Sequence, residues 1–232
     1  MALIQQSEEN GSSISPDGEF AKAIRSLIRV TRPRRIIETG TFHADGTTAV
    51  IAQACADFFC GEDFRTIEAC PKNVVIAGEN ISAKKMHVRL HHGLSLPTRL
   101  LPSKEEIAEN LKVLEKWPAD LLADFGAGDR ARAYYEETRH PGVESDILGK
   151  ILKKWGGRCD VFVLDSAGHL GFQEFTYCRQ NVEQSCIFIL DDTNHVKHAM
   201  TADIIRKLPQ RFRIIDQGDE RAGWVIAHYN PE

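Results

Sequence analysis

Five acidic residues close apolar runs in this sequence: Glu38 after RRII, Glu68 after FRTI, Asp165 after DVFVL, and the adjacent pair Asp191 and Asp192 after CIFIL. An acid that ends a continuous apolar run marks the end of a strand buried on both faces. Asp165, Asp191 and Asp192 would reach one edge of a sheet from neighbouring strands. Three carboxylates gathered there repel unless a cation or a proton neutralises them. Hard oxygen donors suit Mg²⁺, with Mn²⁺ or Ca²⁺ as alternatives, rather than Zn²⁺. Capping helix N-termini is the other common use of such aspartates.

The turn after the first strand reads Glu38-Thr39-Gly40-Thr41-Phe42-His43-Ala44-Asp45-Gly46-Thr47-Thr48. Gly40 permits a sharp bend and a close approach to a ligand. The dinucleotide fingerprint is absent, because Phe42 and Asp45 stand where its later glycines belong. An acid at this point suits a cationic ligand better than a phosphate. Glu68 lies 22 positions beyond Gly46, close to the spacing of about 20 at which an acid accepts hydrogen bonds from ribose hydroxyls. The turn and Glu68 together point to a nucleoside ligand. Among the histidines, His169 follows Asp165 closely and could take a proton. His195 and His198, three apart in NHVKH, have a spacing that could bind a transition metal or be a capping feature. His43 and the pair His91 and His92 stand at strand ends, as structural or cofactor-adjacent groups.

These groups need a frame, and the hydrophobic pattern supplies one. Phe20, Ala21, Ile24, Leu27 and Ile28 recur at helical spacing, with Asp17 available as N-cap. Strands are expected at 34–39, 64–68, 86–92, 160–165, 186–191, 212–216 and 223–229. Helices are expected over 46–59, from Pro71 to 85, over 170–181, where Phe172 and Phe175 face the core, and over 195–208. Alternating β and α units followed by a terminal β pair predict a doubly wound, Rossmann-like α/β sheet of seven strands, mostly parallel with an antiparallel C-terminal strand. Residues 1–16 read as a polar tail and 17–229 as a single domain. About sixty residues, 97–158, exceed what one crossover needs and form a mainly helical insertion before the fourth strand. Its helices are expected at 103–116 and 146–155, around a flexible Gly126-Ala127-Gly128. Such an insertion suits a lid, and Arg130, Arg132, Tyr134, Tyr135 and His140 could face substrate or solvent.

Composition sets outer limits. The 232 residues carry a net charge of −4 with no cationic run, which argues against nucleic acid or a membrane surface as partner. No apolar stretch approaches a membrane span, the start does not read as a signal peptide, and the six cysteines form no CxxC pair; the expected location is the cytoplasm.

The succession ETGTFHADGTT, TIEACP, HHGLSL, DVFVLDSAGH and FILDDTNH resembles class I S-adenosylmethionine-dependent methyltransferases. It is most similar to the branch of metal-dependent sugar and macrolide O-methyltransferases and cephalosporin hydroxylase-like proteins. The resemblance spans about 17–229, apart from the insertion. It implies that Glu38, Gly40, Thr41, Phe42, Gly46 and Thr47 hold the methionine part of S-adenosylmethionine, that Glu68 beside Ala69 holds the ribose, and that Gly93, Leu94 and Ser95 flank the adenine. Leu94 stands where the family usually has an acid, and the first turn is one residue longer than the common form. It further implies that Asp165 lines the cofactor and joins Asp191 and Asp192 on Mg²⁺, and that His169, one position later than usual, is the base. The activity implied is methyl transfer to a hydroxyl of a small polyhydroxy acceptor, by a chain that could form a homo-oligomer. Two alternatives stand beside it: a metal-dependent hydroxylase or hydrolase using Asp165, Asp191, His195 and His198, and a non-catalytic S-adenosylmethionine-binding protein.

Overall fold

Seven strands pair into one sheet in the order β3-β2-β1-β4-β5-β7-β6. They are β1 (Arg35–Thr39), β2 (Asp63–Glu68), β3 (Arg89–His92), β4 (Val161–Leu164), β5 (Cys186–Asp191), β6 (Phe212–Gly218) and β7 (Trp224–Tyr229). The computed structural model describes residues 14–114, 127–166 and 169–231. The first thirteen residues of the expected tail, and Pro118 and Gly126 of the expected insertion, therefore lie outside the described residues. The first five strands are parallel, and β7 runs antiparallel between β5 and β6. Chain order reverses direction across the sheet between β1 and β4. That is the switch point where open α/β sheets leave a crevice outside the strand ends.

Strand β4 shows why the runs are continuous. Val161 and Val163 join Ile36, Ile187 and Ile189 beneath α1 (Glu19–Thr31) and α2 (Thr47–Phe58). Phe162 and Leu164 face the opposite way and join Ile37, Phe188 and Leu190. On that face lie α6 (Ile147–Lys154) and α7 (Gly171–Asn181), which bring Leu148, Ile151 and Phe175. Helix α3 (Pro71–Ala83) starts at proline as expected. Helices α4 (Lys104–Leu114) and α5 (Ala127–Glu137) form a satellite core in which Ile107, Leu111, Ala131 and Tyr134 meet Val196 and Ala199 at the start of α8 (Ala199–Lys207).

Several boundaries differ from the sequence reading, each for a local reason. Gly18, not Asp17, is the N-cap of α1, and the Phe20 N–H is accepted by Glu220 from the β6–β7 loop. Strand β3 begins at Arg89, because Lys85 turns in the left-handed region and residues 86–88 lead out of that turn. Helix α8 begins at Ala199, since residues 192–198 form successive turns in which His195 N–H reaches Asp192 O and His198 N–H reaches His195 O. The Arg- and Tyr-bearing part of the insertion is helical as α5.

Gly40 is fixed by both its backbone angle and a close approach. Gly40 has φ +80°, and a Cβ there would lie 2.2 Å from the Asp165 carbonyl oxygen. Gly40→Ala should lower stability by about 3 kcal/mol, read as a fall in urea midpoint at unchanged slope. Gly78, inside α3, has nothing within 4 Å of its would-be Cβ. Gly78→Ala should raise stability by about 0.5–1 kcal/mol. Equal effects at the two positions would refute the close-approach account of Gly40.

Candidate functional site

The carboxyl ends of β1, β2, β4 and β5 carry almost all of the acids singled out above. Glu38 is fully buried on the α1–α2 face of β1. Its Oε2 accepts hydrogen bonds from the Thr48 and Thr66 hydroxyls, each at 2.7 Å, and Thr41 Oγ1 lies 2.6 Å from that of Thr66. Among the described residues its Oε1 has no partner, and neither has the buried Thr47 Oγ1. Burial pushes the Glu38 carboxyl up to about 8, against the lowering effect of the two hydroxyls.

Glu68 ties the turn to β2. Its Oε2 accepts the Phe42 N–H and its Oε1 the Cys70 N–H, both at 2.8 Å. Burial raises its pKa, partly offset by these backbone donors. Phe42 and Ala44 both have positive φ, 50° and 58°, in a turn that also stacks Phe42 on His43 with ring centroids 3.7 Å apart. Non-glycine residues hold such angles only where the surroundings over-determine them. Here the Glu68 carboxylate and the Asn80 side chain, which donates to His43 O, do so. The Ala69 N–H and the Asn73 side chain also lower the pKa of this carboxyl as hydrogen-bond donors.

After β3 the expected adenine-flanking residues are taken up by packing. Gly93 N–H donates to Glu68 O, and its would-be Cβ sits 2.5 Å from Glu144 O. Leu94 is buried with Leu96, Leu101 and Leu170, against which Ala69 packs. Ser95 donates to Glu174, a residue that the sequence reading did not single out. Glu174 is fully buried and also accepts from Thr39 Oγ1 at 2.7 Å and Ser166 Oγ at 2.8 Å, while burial raises its pKa. It thus joins the ends of β1 and β4 and the loop after β3. Periodicity carried the signal: Gly171, Glu174, Phe175 and Cys178 share the buried face of α7.

Asp165, Asp191 and Asp192 do converge, with one oxygen from each lying within 4.8 Å of the others. The cation among them is Lys197, which sequence reasoning missed. Its Nζ lies 2.7 Å from Asp165 Oδ1 and 2.7 Å from Asp192 Oδ2, with its side chain 9% exposed. Arg221 adds a contact of 3.6 Å to Asp191 Oδ2. Burial raises the Asp165 pKa, and burial together with the two other carboxylates pushes Asp191 up to about 8. Burial would raise Asp192 too, but Lys197 outweighs it and holds that carboxyl at about 2. Burial would lower the Lys197 pKa, and the carboxylates instead hold it well above the ordinary lysine range.

A divalent ion fits this arrangement poorly. Mg²⁺ bound to the same oxygens at about 2.1 Å would lie within about 5 Å of the ammonium. At an effective dielectric of about 20 that repulsion is roughly 7 kcal/mol, set against roughly 16 kcal/mol of attraction per carboxylate, and ligation would also break both Lys197 ion pairs. As they stand, two of the three expected ligands, Asp165 and Asp192, are engaged by Lys197.

The histidines separate. His198 is fully buried and its Nε2 lies 2.9 Å from Leu164 O. His195 Nδ1 accepts the Lys197 N–H at 3.2 Å and its Nε2 faces Tyr134 Oη at 3.3 Å. The pair lies in the turns before α8, so it makes no common helical face, and among the described residues it joins no metal-capable group. As placed among the described residues, the two histidines do not complete the ligand set that the hydroxylase alternative uses. His169 is buried, with neither ring nitrogen partnered among the described residues and its ring centroid 6.0 Å from that of Tyr134. Burial, with Arg139 nearby, pulls it down to about 3. It borders a cavity of about 10 Å³ closed by Ile107, Asn110, Val196 and Met200, room for about one water. In the insertion, Arg132 pairs with Asp129 and Tyr135 lies under Arg139.

No family model matches the sequence, and no curated protein matches it either. Solved structures do. An O-methyltransferase from Bacillus cereus in complex with SAH is 15% identical at TM-score 0.56, covering 99% of this chain and 88% of its own. The O-methyltransferase TomG from Streptomyces achromogenes, involved in tomaymycin synthesis and in complex with SAM, is 15% identical at 0.53, covering 96% and 85%. A methyltransferase from Geobacter sulfurreducens is 12% identical at 0.55, covering 99% and 87%. At these identities the likeness establishes a shared fold.

Glu38 gives this edge a pH signature. Folding keeps a proton on a carboxyl whose ordinary value is 4.5, so its contribution to stability is complete below that pH and is lost as pH rises through about 8. Wild type should therefore lose more stability than Glu38→Gln between about pH 5 and pH 8, as read from urea midpoints. Equal losses in the two proteins would refute this.

Proposed function

We propose that this protein transfers a methyl group from S-adenosylmethionine to a hydroxyl oxygen of a small polyhydroxy molecule. The observation that carries the reading is the pairing of Glu38 and Glu68 at the switch point. Among the described residues one presents a buried oxygen without a partner, and the other a buried carboxylate oriented by the Phe42 and Cys70 N–H groups. Those groups suit the two ends of a ligand with a cationic amino acid part and a vicinal ribose diol. The fold shared with O-methyltransferases supports the same reading and favours oxygen as the acceptor atom.

Glu68 would take the ribose hydroxyls, and Glu38 with Thr47 the methionine part. Gly93, Leu94 and Ser95 would border the adenine through backbone groups. When bound, the sulfonium supplies the methyl group and departs as a thioether with the electrons of the broken C–S bond. The acceptor oxygen needs its proton removed, and His169 is the proposed recipient because, among the described residues, neither ring nitrogen has a partner. In the present arrangement α4 and the start of α8 border that ring, so acceptor entry requires α4 and α5 of the insertion to act as a lid that lifts. Asp165 contributes through its ion pair with Lys197, and no metal enters a step. Six unpaired thiols suit a reducing compartment such as the cytoplasm. Among the described residues no helix is long and apolar enough to cross a membrane.

Calorimetry with S-adenosylhomocysteine is the direct test, and absence of binding would reject the proposal. Glu68→Gln should weaken that binding by about 10–100-fold through loss of charge-assisted hydrogen bonds. His169→Ala should leave binding of S-adenosylhomocysteine unchanged while lowering turnover about 100-fold, measured as labelled methyl release across a panel of polyol acceptors.

A further inference from the structure

We infer that Lys197 is the resident cation of the acidic edge: its ammonium occupies the place among Asp165, Asp191 and Asp192 that a divalent ion would need, so the edge is complete without metal. The inference concerns charge balance alone and holds whether or not the reaction is methyl transfer.

Three observations carry it. The first is contact. A single Nζ reaches carboxylates from two adjacent strand ends, Asp165 after β4 and Asp192 after β5, at 2.7 Å each. The second is charge. Three carboxylates face Lys197 and, through Asp191, Arg221, so the two side-chain cations leave a net charge of −1 where the carboxylates alone would carry −3. A divalent ion would have to share those carboxylates with an ammonium already in contact with two of them.

The third is rigidity. Lys197 is no exposed side chain that could swing aside at little cost. Its N–H is bonded to His195 Nδ1, and the next residue is pinned by His198 Nε2 on Leu164 O. Helix α7 presses on both: a Cβ at Gly171 would lie 2.3 Å from the His198 ring and 2.5 Å from Lys197 O. Asp192 takes φ 57°, a left-handed angle that aspartate tolerates, and its carboxylate meets the same ammonium. The turns of residues 192–198 thus set a positive charge where the strand ends have gathered negative ones.

The test is a titration of the full-length protein, free of cofactor, with MnCl₂, following free Mn²⁺ by its electron paramagnetic resonance signal. Wild type should show no saturable site up to millimolar Mn²⁺. Lys197→Met, which keeps an unbranched side chain one atom shorter and removes its charge, should gain one site at least about tenfold tighter, equivalent to about 1.4 kcal/mol. Asp191→Asn added to Lys197→Met should abolish the gained site, which locates the ion. Stoichiometric Mn²⁺ binding by wild type that Asp191→Asn removes would overturn the inference. So would a folded Lys197→Met protein that gains nothing. If Lys197→Met does not fold, Lys197→Gln replaces it, and the wild-type titration by itself still carries the overturning outcome. Because no methyl donor is present, failure here is distinct from failure of the methyl-transfer reading.

Discussion

Carboxylates crowded at one edge of a buried sheet must be neutralised, and that electrostatic constraint organises everything at the switch point. The edge meets it in three ways. Lys197 lies between Asp165 and Asp192. Hydroxyls surround Glu38 and Glu174. Backbone N–H groups cap the two oxygens of Glu68. Removing one partner of a buried ion pair costs about 3–5 kcal/mol, so the Lys197 arrangement also holds the start of α8 against the ends of β4 and β5.

The hydroxyl-solvated acids have a complementary role. Side chains alternate along β1, so Glu38 and Thr39 point to opposite faces. Glu38 is held from the α2 side, while Glu174 reaches Thr39 from the α7 side. Two acids thereby fix the end of one central strand from above and below. Gly40 follows directly, and its missing Cβ lets the turn rest on the Asp165 backbone. The strained Phe42 and Ala44 are then affordable because Glu68 and Asn80 hold the turn from β2 and α3.

Much of this was legible in the sequence. Continuous apolar runs ending in acids located β1, β2, β4 and β5, because a strand buried on both faces has no other pattern. The convergence of Asp165, Asp191 and Asp192 followed from placing those runs side by side. Boundaries set by distant partners were not legible. Nothing near Asp17 announces that Glu220, some two hundred residues away, takes the Phe20 N–H at the start of α1. The helical spacing around NHVKH extends the apparent helix back to His195, whereas hydrogen bonds to Leu164 O and Tyr134 hold those residues in turns.

The acids themselves, the apolar runs and the glycine at the first turn are properties of the sequence, since each depends on residue type and on neighbours a few positions away. Which cation answers those acids was decided by tertiary structure. A lysine six positions beyond Asp191 carries no local mark of its partner. Only the packing of α7 on the turns before α8 brings its ammonium to the ends of β4 and β5. Glu174 likewise looked like one more polar residue at a helix start until three hydroxyls from separate segments closed around it. Periodicity reports which face a side chain takes. The partner it finds there depends on long-range packing, and at this edge the partner sets the charge.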